Sequence, residues 1–342
     1  MRNQATSILL ISLTVLSAGA AVPDDFRGLT SREITAKIRL TRPSALVTST
    51  LGASGAWAVT GRYAVRDDGS LTDFYSDSRD YRLGNIAVEP PQGIELLPVV
   101  PAAWWGGVYG DSVVRDLVNL VPANFDVTAH KRDYPPGKVE EALCDNGFWR
   151  SGIATIASTE TNVFEPADCY KGDFARIFMY MAAVWPMSFW QSYGPMIYLD
   201  GDWPLLNLYS RRLLLAWHRD DPVDDFERQR DKVISEAQGC GNPFVTMPEL
   251  VEYVWGDSVG QPYTPPSESE EPRQPLKAVY SVASDRVLTL YSPYIASDVT
   301  WTIDGKAVAE ESISLSDLGT GRHIIAYSNR RLRGTLIIHV RP

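Results

Sequence analysis

The segment from Gln261 to Leu276 constrains the fold most strongly, because it divides the chain into two parts. Its sequence, QPYTPPSESEEPRQPL, is rich in proline, serine and glutamate and has few of the apolar side chains that a core requires. We therefore expect a linker over residues 261–276, one domain over residues 22–260 before it, and a C-terminal module over residues 277–342 after it. A length of 342 residues accommodates both parts.

The first domain is predicted to belong to the α+β class and to be rich in helices. Thr30 and Glu33 are spaced as a capping box that opens a helix. Capping residues and apolar residues at helical spacing predict four helices: Arg32–Arg39, Phe174–Trp185 behind an Asp173 N-cap, Leu205–Trp217 and Asp225–Glu236. β-prone sequence predicts strands at Trp57–Tyr63 and Glu95–Val100. These elements indicate helices packed with one small sheet.

The C-terminal module is predicted to be a small antiparallel β-sandwich. Turn residues at Asp304–Gly305 and Gly319–Gly321 separate segments in which apolar and polar residues alternate. The predicted strands are Val287–Tyr291, Val299–Ile303, His323–Tyr327 and Thr335–Val340. Secreted bacterial enzymes append modules of this architecture for sorting or surface attachment. A module that serves only stability or binding fits the pattern equally well.

The N-terminus has the features of a secretory signal peptide. Arg2 supplies a positive charge, the apolar run Ile8–Leu16 is too short to span a bilayer, and Ala18-Gly19-Ala20 offers a cleavage site. We expect removal of residues 1–21 and export to the periplasm, the cell surface or the medium. An uncleaved N-terminal anchor is the alternative. Because no other apolar run approaches membrane length, we expect no transmembrane segment in the mature chain.

The chain has three cysteines, which in an exported protein allow at most one intramolecular disulfide. Cys144 and Cys169 are the best candidates for a pair, because they flank one segment of the first domain. Three unpaired buried thiols, with Cys240 as the third, fit the sequence about as well. Their spacing does not match a structural zinc site.

Blocks of residues in the first domain occur in the order found in a known family. The longest are Asp116–Pro136 (DLVNLVPANFDVTAHKRDYPP) and Leu213–Phe244, with Gly172–Arg176 between them. Over most of residues 27–257 the chain resembles the bacterial endonuclease I family. The resemblance implies a ββα-metal finger, also called a His-Me finger, in which one histidine and one divalent metal ion cleave DNA or RNA.

The residues that carry this chemistry in the family are replaced here. In the family a Glu-His pair precedes a Val-Val-Pro-like run, and in this chain Leu97 and Pro98 precede Val99–Pro101. The histidine would act as a general base, which a proline cannot do. Thr128 stands six residues after Pro122, where the family has an asparagine metal ligand. The resemblance therefore implies a ββα-metal finger with degenerate catalytic positions.

Two nearby residues are candidates to replace the lost groups. Glu95 lies two positions before Leu97, on the same face of the strand, and a register slip would let it reach a metal ion. His130 lies two positions after Thr128, which on a helix turns it about 200 degrees away. Mg²⁺ is the expected cofactor only if activity survives. A candidate ligand groove is predicted from Trp104, Trp105, Asn119, Lys131 and Arg132.

The favoured hypothesis is an exported pseudonuclease that keeps the family scaffold and a binding role. A second hypothesis is an active nuclease or ribonuclease with a rearranged site that uses Glu95, Asp116, Asn119 or His130. A third is a surface-interaction protein that acts through residues 277–342, by contact with the cell surface or the secretion machinery. The net charge of −10 argues weakly against nucleic acid as the ligand, because phosphate binding needs clustered cations.

Overall fold

The structure is a computed structural model that describes residues 23–43, 45–86, 89–266, 276, 279–282, 285, 287–290, 299–310, 312–328 and 333–341. The predicted signal peptide and most of the predicted linker lie outside the described residues. The chain divides into two compact units between Pro265 and Pro266.

The first unit mixes helices with one two-stranded and one three-stranded sheet. Its α-helices are α1 Ser31–Leu40, α2 Ala45–Ala64, α3 Asp111–Val114, α4 Phe125–Lys131, α5 Lys171–Val184, α6 Leu208–Asp220, α7 Asp225–Gln238, α8 Pro243–Thr246 and α9 Leu250–Val254. Its strands are β1 Ile94–Pro98, β2 Leu120–Asn124, β3 Glu141–Asp145, β4 Arg150–Ile156 and β5 Thr159–Glu165. This composition confirms the predicted α+β class.

Three of these elements form a strand–strand–helix unit, β1–β2–α4. The two strands are antiparallel, and their register runs without a break from Ile94 opposite Asn124 to Pro98 opposite Leu120. Helix α4 begins directly after β2 because the Asn124 side chain caps it, accepting a hydrogen bond of 3.0 Å from the Val127 N–H. Because α4 packs on both strands, its inner face lies against the end of β1.

Helix α5 is the centre of the core of the first unit. Its residues from Gly172 to Val184 are all buried, and it packs against α1 and α6. A helix that is enclosed on every side needs apolar residues on every side. The run FARIFMYMAAV meets this requirement at every position except Arg176, whose charge must therefore be compensated inside the core.

The capping residues predicted for α1 and α7 are confirmed. At the start of α1 the Thr30 N–H donates a hydrogen bond of 2.8 Å to the Glu33 carboxylate. At the start of α7 the Asp224 carboxylate accepts a hydrogen bond of 2.8 Å from the Glu227 N–H. Helix α7 ends at Gly239, whose φ of +83° suits a residue without a side chain.

The prediction of a strand at Trp57–Tyr63 is wrong, because these residues belong to α2. The run contains few polar residues, so a buried helix and a strand fit it about equally well. The burial pattern follows the helical period of three to four residues rather than the strand period of two. The buried residues of this part of α2 are Ala56, Trp57, Val59, Thr60, Tyr63 and Ala64.

Two other helices begin at positions that differ from the prediction. Helix α5 begins at Lys171, so Asp173 lies in its first turn and is not its N-cap. Helix α6 begins at Leu208, where the Asn207 side chain caps it by accepting a hydrogen bond of 2.9 Å from the Ser210 N–H. Helix existence was therefore easier to predict than helix ends.

The predicted disulfide between Cys144 and Cys169 is wrong, because all three thiols are free. Cys144 lies half-buried on β3, and Cys169 lies exposed in the 3₁₀ turn Asp168–Tyr170. The alternative of three unpaired thiols is therefore confirmed. Its second part, that all three are buried, is wrong, because of the three only Cys240 is buried.

The second unit contains a small core between two β-sheets. Its elements are β6 Val279–Ser281, β7 Val287–Thr289, β8 Thr300–Ile303, β9 Lys306–Val308, β10 Ser312–Ser314, α10 Leu315–Leu318, β11 Gly321–Ser328 and β12 Arg333–Arg341. One sheet has the order β6-β12-β11-β8-β9, and the other pairs β10 with β7. The expectation of purely antiparallel strands is wrong at one place, because β6 runs parallel to β12.

Leu288 of β7 packs with Ile303, Ile325 and Ile338 from the larger sheet, which gives the second unit its core. Across the described residues of both units, no helix is both long enough and apolar enough to cross a membrane.

Candidate functional site

The end of β1 and the inner face of α4 hold the positions at which the sequence predicts lost catalytic groups. Leu97 and Pro98 are the last two residues of β1, and Thr128 lies in the middle of α4. Thr128 and Lys131 are three residues apart, so both project from one side of the helix. Each of these two side chains makes a hydrogen bond to β1.

Glu95 and Thr128 are brought together at this site. The Thr128 hydroxyl donates a hydrogen bond of 2.7 Å to Oε1 of Glu95, and both side chains are half-buried. The paired strands show no bulge, so Glu95 reaches Thr128 without the register slip that the sequence suggested. The Glu95 carboxylate is therefore hydrogen-bonded to the neutral hydroxyl group of Thr128.

Sequence reasoning did not anticipate the contact that Lys131 makes with β1. Its ammonium group donates a hydrogen bond of 3.2 Å to the backbone carbonyl of Pro98, the residue that the sequence resemblance places where the family has its histidine. The side chain is only 5% exposed, so it does not lie on the surface as expected for a groove residue. A positive charge from the protein itself therefore stands at the end of β1.

The surroundings of the Lys131 ammonium are mostly apolar. A cavity of about 20 Å³ beside it is lined by Val99, Phe164 and Phe178, among other residues. Burial lowers the pKa of Lys131 to about 8, and the charge of Asp133 partly opposes this effect. The group is therefore still protonated at neutral pH.

Asn119 has a structural role, so its assignment to a ligand groove is wrong. The side chain is buried, and it bonds to both backbone groups of Val100. Its Oδ1 accepts a hydrogen bond of 2.8 Å from the Val100 N–H, and its Nδ2 donates one of 3.0 Å to the Val100 carbonyl. These bonds hold the segment after β1 against the turn before β2.

Trp104 and Trp105 also belong to the core rather than to a groove. Both side chains are completely buried. The indole N–H of Trp104 donates to the carbonyl of Asp133 at 3.2 Å, and that of Trp105 donates to the carbonyl of Trp185 at 3.0 Å. A buried indole has to satisfy its N–H in this way, and neither ring is available for stacking on a base.

His130 and Arg132 lie on the exposed side of α4 and at its end, away from the pair of Glu95 and Thr128. The His130 ring is 5.3 Å from that of Trp149, in a tilted contact. Arg132 ends the helix with a φ of +45°, and its Nε donates a hydrogen bond of 3.1 Å to the Ala129 carbonyl. The His130 ring therefore contacts Trp149 and is not among the side chains that bond to the end of β1.

Asp116, another candidate for a rearranged site, is fully buried and already satisfied. It accepts hydrogen bonds from Tyr180, Trp185 and Gln238 at 2.9 to 3.0 Å, and from the Val118 N–H at 3.1 Å. Burial raises the pKa of Asp116 above its usual value. This carboxylate joins α5 and α7 to the chain before β2 and does not face a reaction centre.

The donor set at the end of β1 does not fit a magnesium ion. Mg²⁺ needs several oxygen ligands in near-octahedral geometry, and this site offers the Glu95 carboxylate, one threonine hydroxyl and a nearby ammonium group. Within the described residues, no group of three or more His, Cys, Asp and Glu side chains is placed to hold a metal ion. We therefore derive no metal-dependent step for this chain.

A buried ionic cluster around Arg176 is structural. Arg176 contacts Asp173 at 3.3 Å, but its main partner is Glu227, which binds it through two hydrogen bonds of 2.6 and 2.7 Å. Burial, with the nearby Arg176 charge, lowers the pKa of His218 to about 3. His218 is therefore neutral at neutral pH, and the cluster joins α5, α6 and α7.

The α+β fold and its strand–strand–helix unit agree with the match of this sequence to a nuclease family. The model of the family Endonuclease I matches residues 37–249, which is more than half of the chain. The chain belongs to the endonuclease I family.

Curated relatives of this chain are extracellular nucleases. The extracellular ribonuclease of Bacillus subtilis (strain 168) is 31% identical over 147 residues, which are 41% of this chain and 46% of the relative. The extracellular ribonuclease of Bacillus amyloliquefaciens is 35% identical, with the same coverage. The extracellular deoxyribonuclease of Aeromonas hydrophila is 33% identical over 130 residues, 38% of this chain and 48% of the relative. The chain spans about half the length of these relatives.

Proposed function

We propose that this protein is an exported member of the endonuclease I family that binds nucleic acid without cleaving it. The observation that carries this proposal is the contact between the Lys131 ammonium and the Pro98 carbonyl. It supplies the end of β1 with a fixed internal cation, at the position where the family has its base.

Hydrolysis of a phosphodiester needs a group that activates water and a cation that stabilises the developing charge. Pro98 has no group that takes up a proton, and Leu97 has no atom that coordinates a metal ion. Thr128 is already bonded to Glu95, whose carboxylate is the only anionic side chain in this contact. The site therefore lacks the family's base and metal ligands, and the cation that it contains is the buried ammonium of Lys131.

The internal ammonium also disfavours a divalent cation. Two like charges repel more strongly in a half-buried site than in water, since the effective dielectric constant is lower there. Because Lys131 and Thr128 share one face of α4, a metal ion at Thr128 would lie close to this charge. The contacts of α4 with β1 hold the strand–strand–helix unit together.

Nucleic acid as the ligand and export as the destination are supported by the relatives. All three are named as extracellular ribonucleases or deoxyribonucleases. The signal-like sequence at the N-terminus agrees with export.

The proposal is tested by incubating the purified chain with plasmid DNA and with RNA, in Mg²⁺ or in a chelator. We expect no Mg²⁺-dependent cleavage by the native chain. The quadruple variant Leu97→Glu/Pro98→His/Thr128→Asn/Lys131→Met restores the family residues and removes the internal cation, and we expect it to gain cleavage.

The contrary outcome is Mg²⁺-dependent cleavage by the native chain that is lost in Glu95→Ala. Glu141→Ala serves as the matched control, because it removes an exposed carboxylate from β3. Loss of cleavage in the Glu95 variant, with full cleavage in the Glu141 control, would establish an active, rearranged site.

A further inference from the structure

The end of the chain has a charge opposite to that of the whole protein. Residues 319–342 contain five arginines, two histidines and no aspartate or glutamate, whereas the full chain has a net charge of −10. Such an asymmetry is typical of a segment that contacts an anionic partner.

The pairing of β11 with β12 places part of this charge on one face of a sheet. Arg322 lies opposite His339, and Ile324 lies opposite Ile337. Side chains alternate between the two faces of a strand, and the neighbouring Ile325 is completely buried in the core. The other side of this strand pair is therefore the outward side.

The outward side has a basic composition and is open. We call it the basic face, and it consists of Arg322, Ile324, Arg333, Ile337, His339 and Arg341. All six side chains are exposed.

The positive charge of the basic face is not neutralised within the part of the chain that the structure describes. There, none of its three arginines forms an ion pair. The closest acidic residue on a neighbouring turn, Asp304, is already bonded to His323 at 2.8 Å. Unpaired guanidinium groups on a sheet are therefore available to an external anion.

We propose that the basic face binds the phosphate backbone of single-stranded nucleic acid. This inference rests on the proposed function and assigns its binding step to the second unit. Arginine suits phosphate because its planar guanidinium group donates two parallel hydrogen bonds. Arg333 and Arg341 stand at the two ends of β12, eight residues or roughly 27 Å apart, and Arg322 lies near the Arg341 end, opposite His339. The cations of the face therefore span a length of several phosphates.

The remaining features of the face agree with this ligand better than with a membrane. The apolar part consists of the Ile324–Ile337 pair, which is too small for insertion into lipid but provides a surface for sugars and bases. Basic groups without an aromatic platform predict binding that depends strongly on salt and little on sequence.

The test measures the binding of a fluorescein-labelled 20-nucleotide single-stranded DNA to the full chain by fluorescence anisotropy in a chelator. We expect Arg322→Gln/Arg341→Gln to weaken binding about tenfold at low salt. We also expect the slope of log K against log salt to become shallower by about 1.4, since each lost phosphate contact contributes about 0.7.

Two further variants separate charge from fold. Arg228→Gln/Lys232→Gln removes the same net charge from the exposed side of α7, and we expect it to bind like the native chain. Arg322→Lys/Arg341→Lys keeps the charge of the basic face, and we expect it to retain most of the affinity. Thermal unfolding followed by circular dichroism checks that each variant is folded.

Equal affinity of the native chain and the glutamine variant would overturn the inference, as would an equal loss in the α7 control. A salt slope that falls as far in the lysine variant as in the glutamine variant would also overturn it, because lysine keeps the charge. Binding to vesicles that contain anionic phospholipid, without binding to the oligonucleotide, would also overturn it. Cleavage of nucleic acid in Mg²⁺ would refute the proposed loss of activity. It would not affect the binding measurement, because binding is measured in a chelator.

Discussion

Replacing Lys131 by methionine tests whether a charge is buried at the end of β1. Methionine keeps the length and apolar stem of the side chain but removes the ammonium group. A pKa lowered from its usual 10.5 to about 8 corresponds to a destabilisation of roughly 3 kcal/mol at pH 7, at 1.36 kcal/mol for each pH unit. Because the side chain is 5% exposed, solvent screens this effect little.

The variant also loses the hydrogen bond to the Pro98 carbonyl, which contributes about 1 kcal/mol. We therefore expect Lys131→Met to be more stable than the native chain by about 2 kcal/mol at pH 7. Urea denaturation of the two proteins under identical conditions measures this difference.

The pH dependence gives the sharper result. Below pH 8 the ammonium is protonated in both the folded and the unfolded chain, so its contribution is constant. Between pH 8 and about 10.5 only the unfolded chain retains the proton, so the native protein gains stability as the pH rises. Most of the roughly 3 kcal/mol should be regained by pH 10. The advantage of Lys131→Met should then disappear.

Other groups titrate in this range, but they are common to both proteins and cancel in the difference. A variant that is less stable than the native chain at pH 7 would refute the assignment of a buried charge. The same stability difference at pH 7 and at pH 10 would refute it independently.

Two further substitutions test the buried polar contacts of the first unit. Glu227→Gln removes the carboxylate that accepts two hydrogen bonds from the buried Arg176. We expect the free energy of unfolding, measured by urea denaturation, to fall by about 3 kcal/mol. The exposed control Asp225→Asn should change it negligibly. Asn119→Ala leaves both backbone groups of Val100 unpaired, and we expect a loss of about 2 kcal/mol in the same measurement. A loss below about 0.5 kcal/mol in either variant would contradict the structural role assigned to that residue.

Local sequence signals were sufficient for several helix ends. The cap of α7 is a hydrogen bond between Asp224 and Glu227, which are three residues apart, and its end needs only a glycine at position 239. Interactions of such short range are present in any fold that contains the helix, so the sequence predicts them.

The same local reasoning failed for α2. Trp57–Tyr63 suits a strand or a buried helix, and the choice depends on what packs against it. In the structure α2 lies against α7, more than a hundred residues away in the chain. Contacts across that distance do not leave a signal in a short window of sequence.

The absence of a base at position 98 follows from the amino-acid sequence alone. A proline has no ionisable side chain in any fold, so this conclusion does not depend on packing. The α+β class followed in the same way, from the periodicity of the apolar residues and from family blocks in a consistent order.

The position of the Lys131 charge, in contrast, depends on tertiary packing. Its long side chain can equally reach solvent or lie along an apolar surface. The packing of α4 on β1 turns it inward to Pro98, a residue 33 positions earlier in the chain. The same packing joined Glu95 to Thr128. Contacts with Tyr198 and Trp190 help to enclose Trp104 and Trp105, because burial depends on neighbours that are distant in sequence.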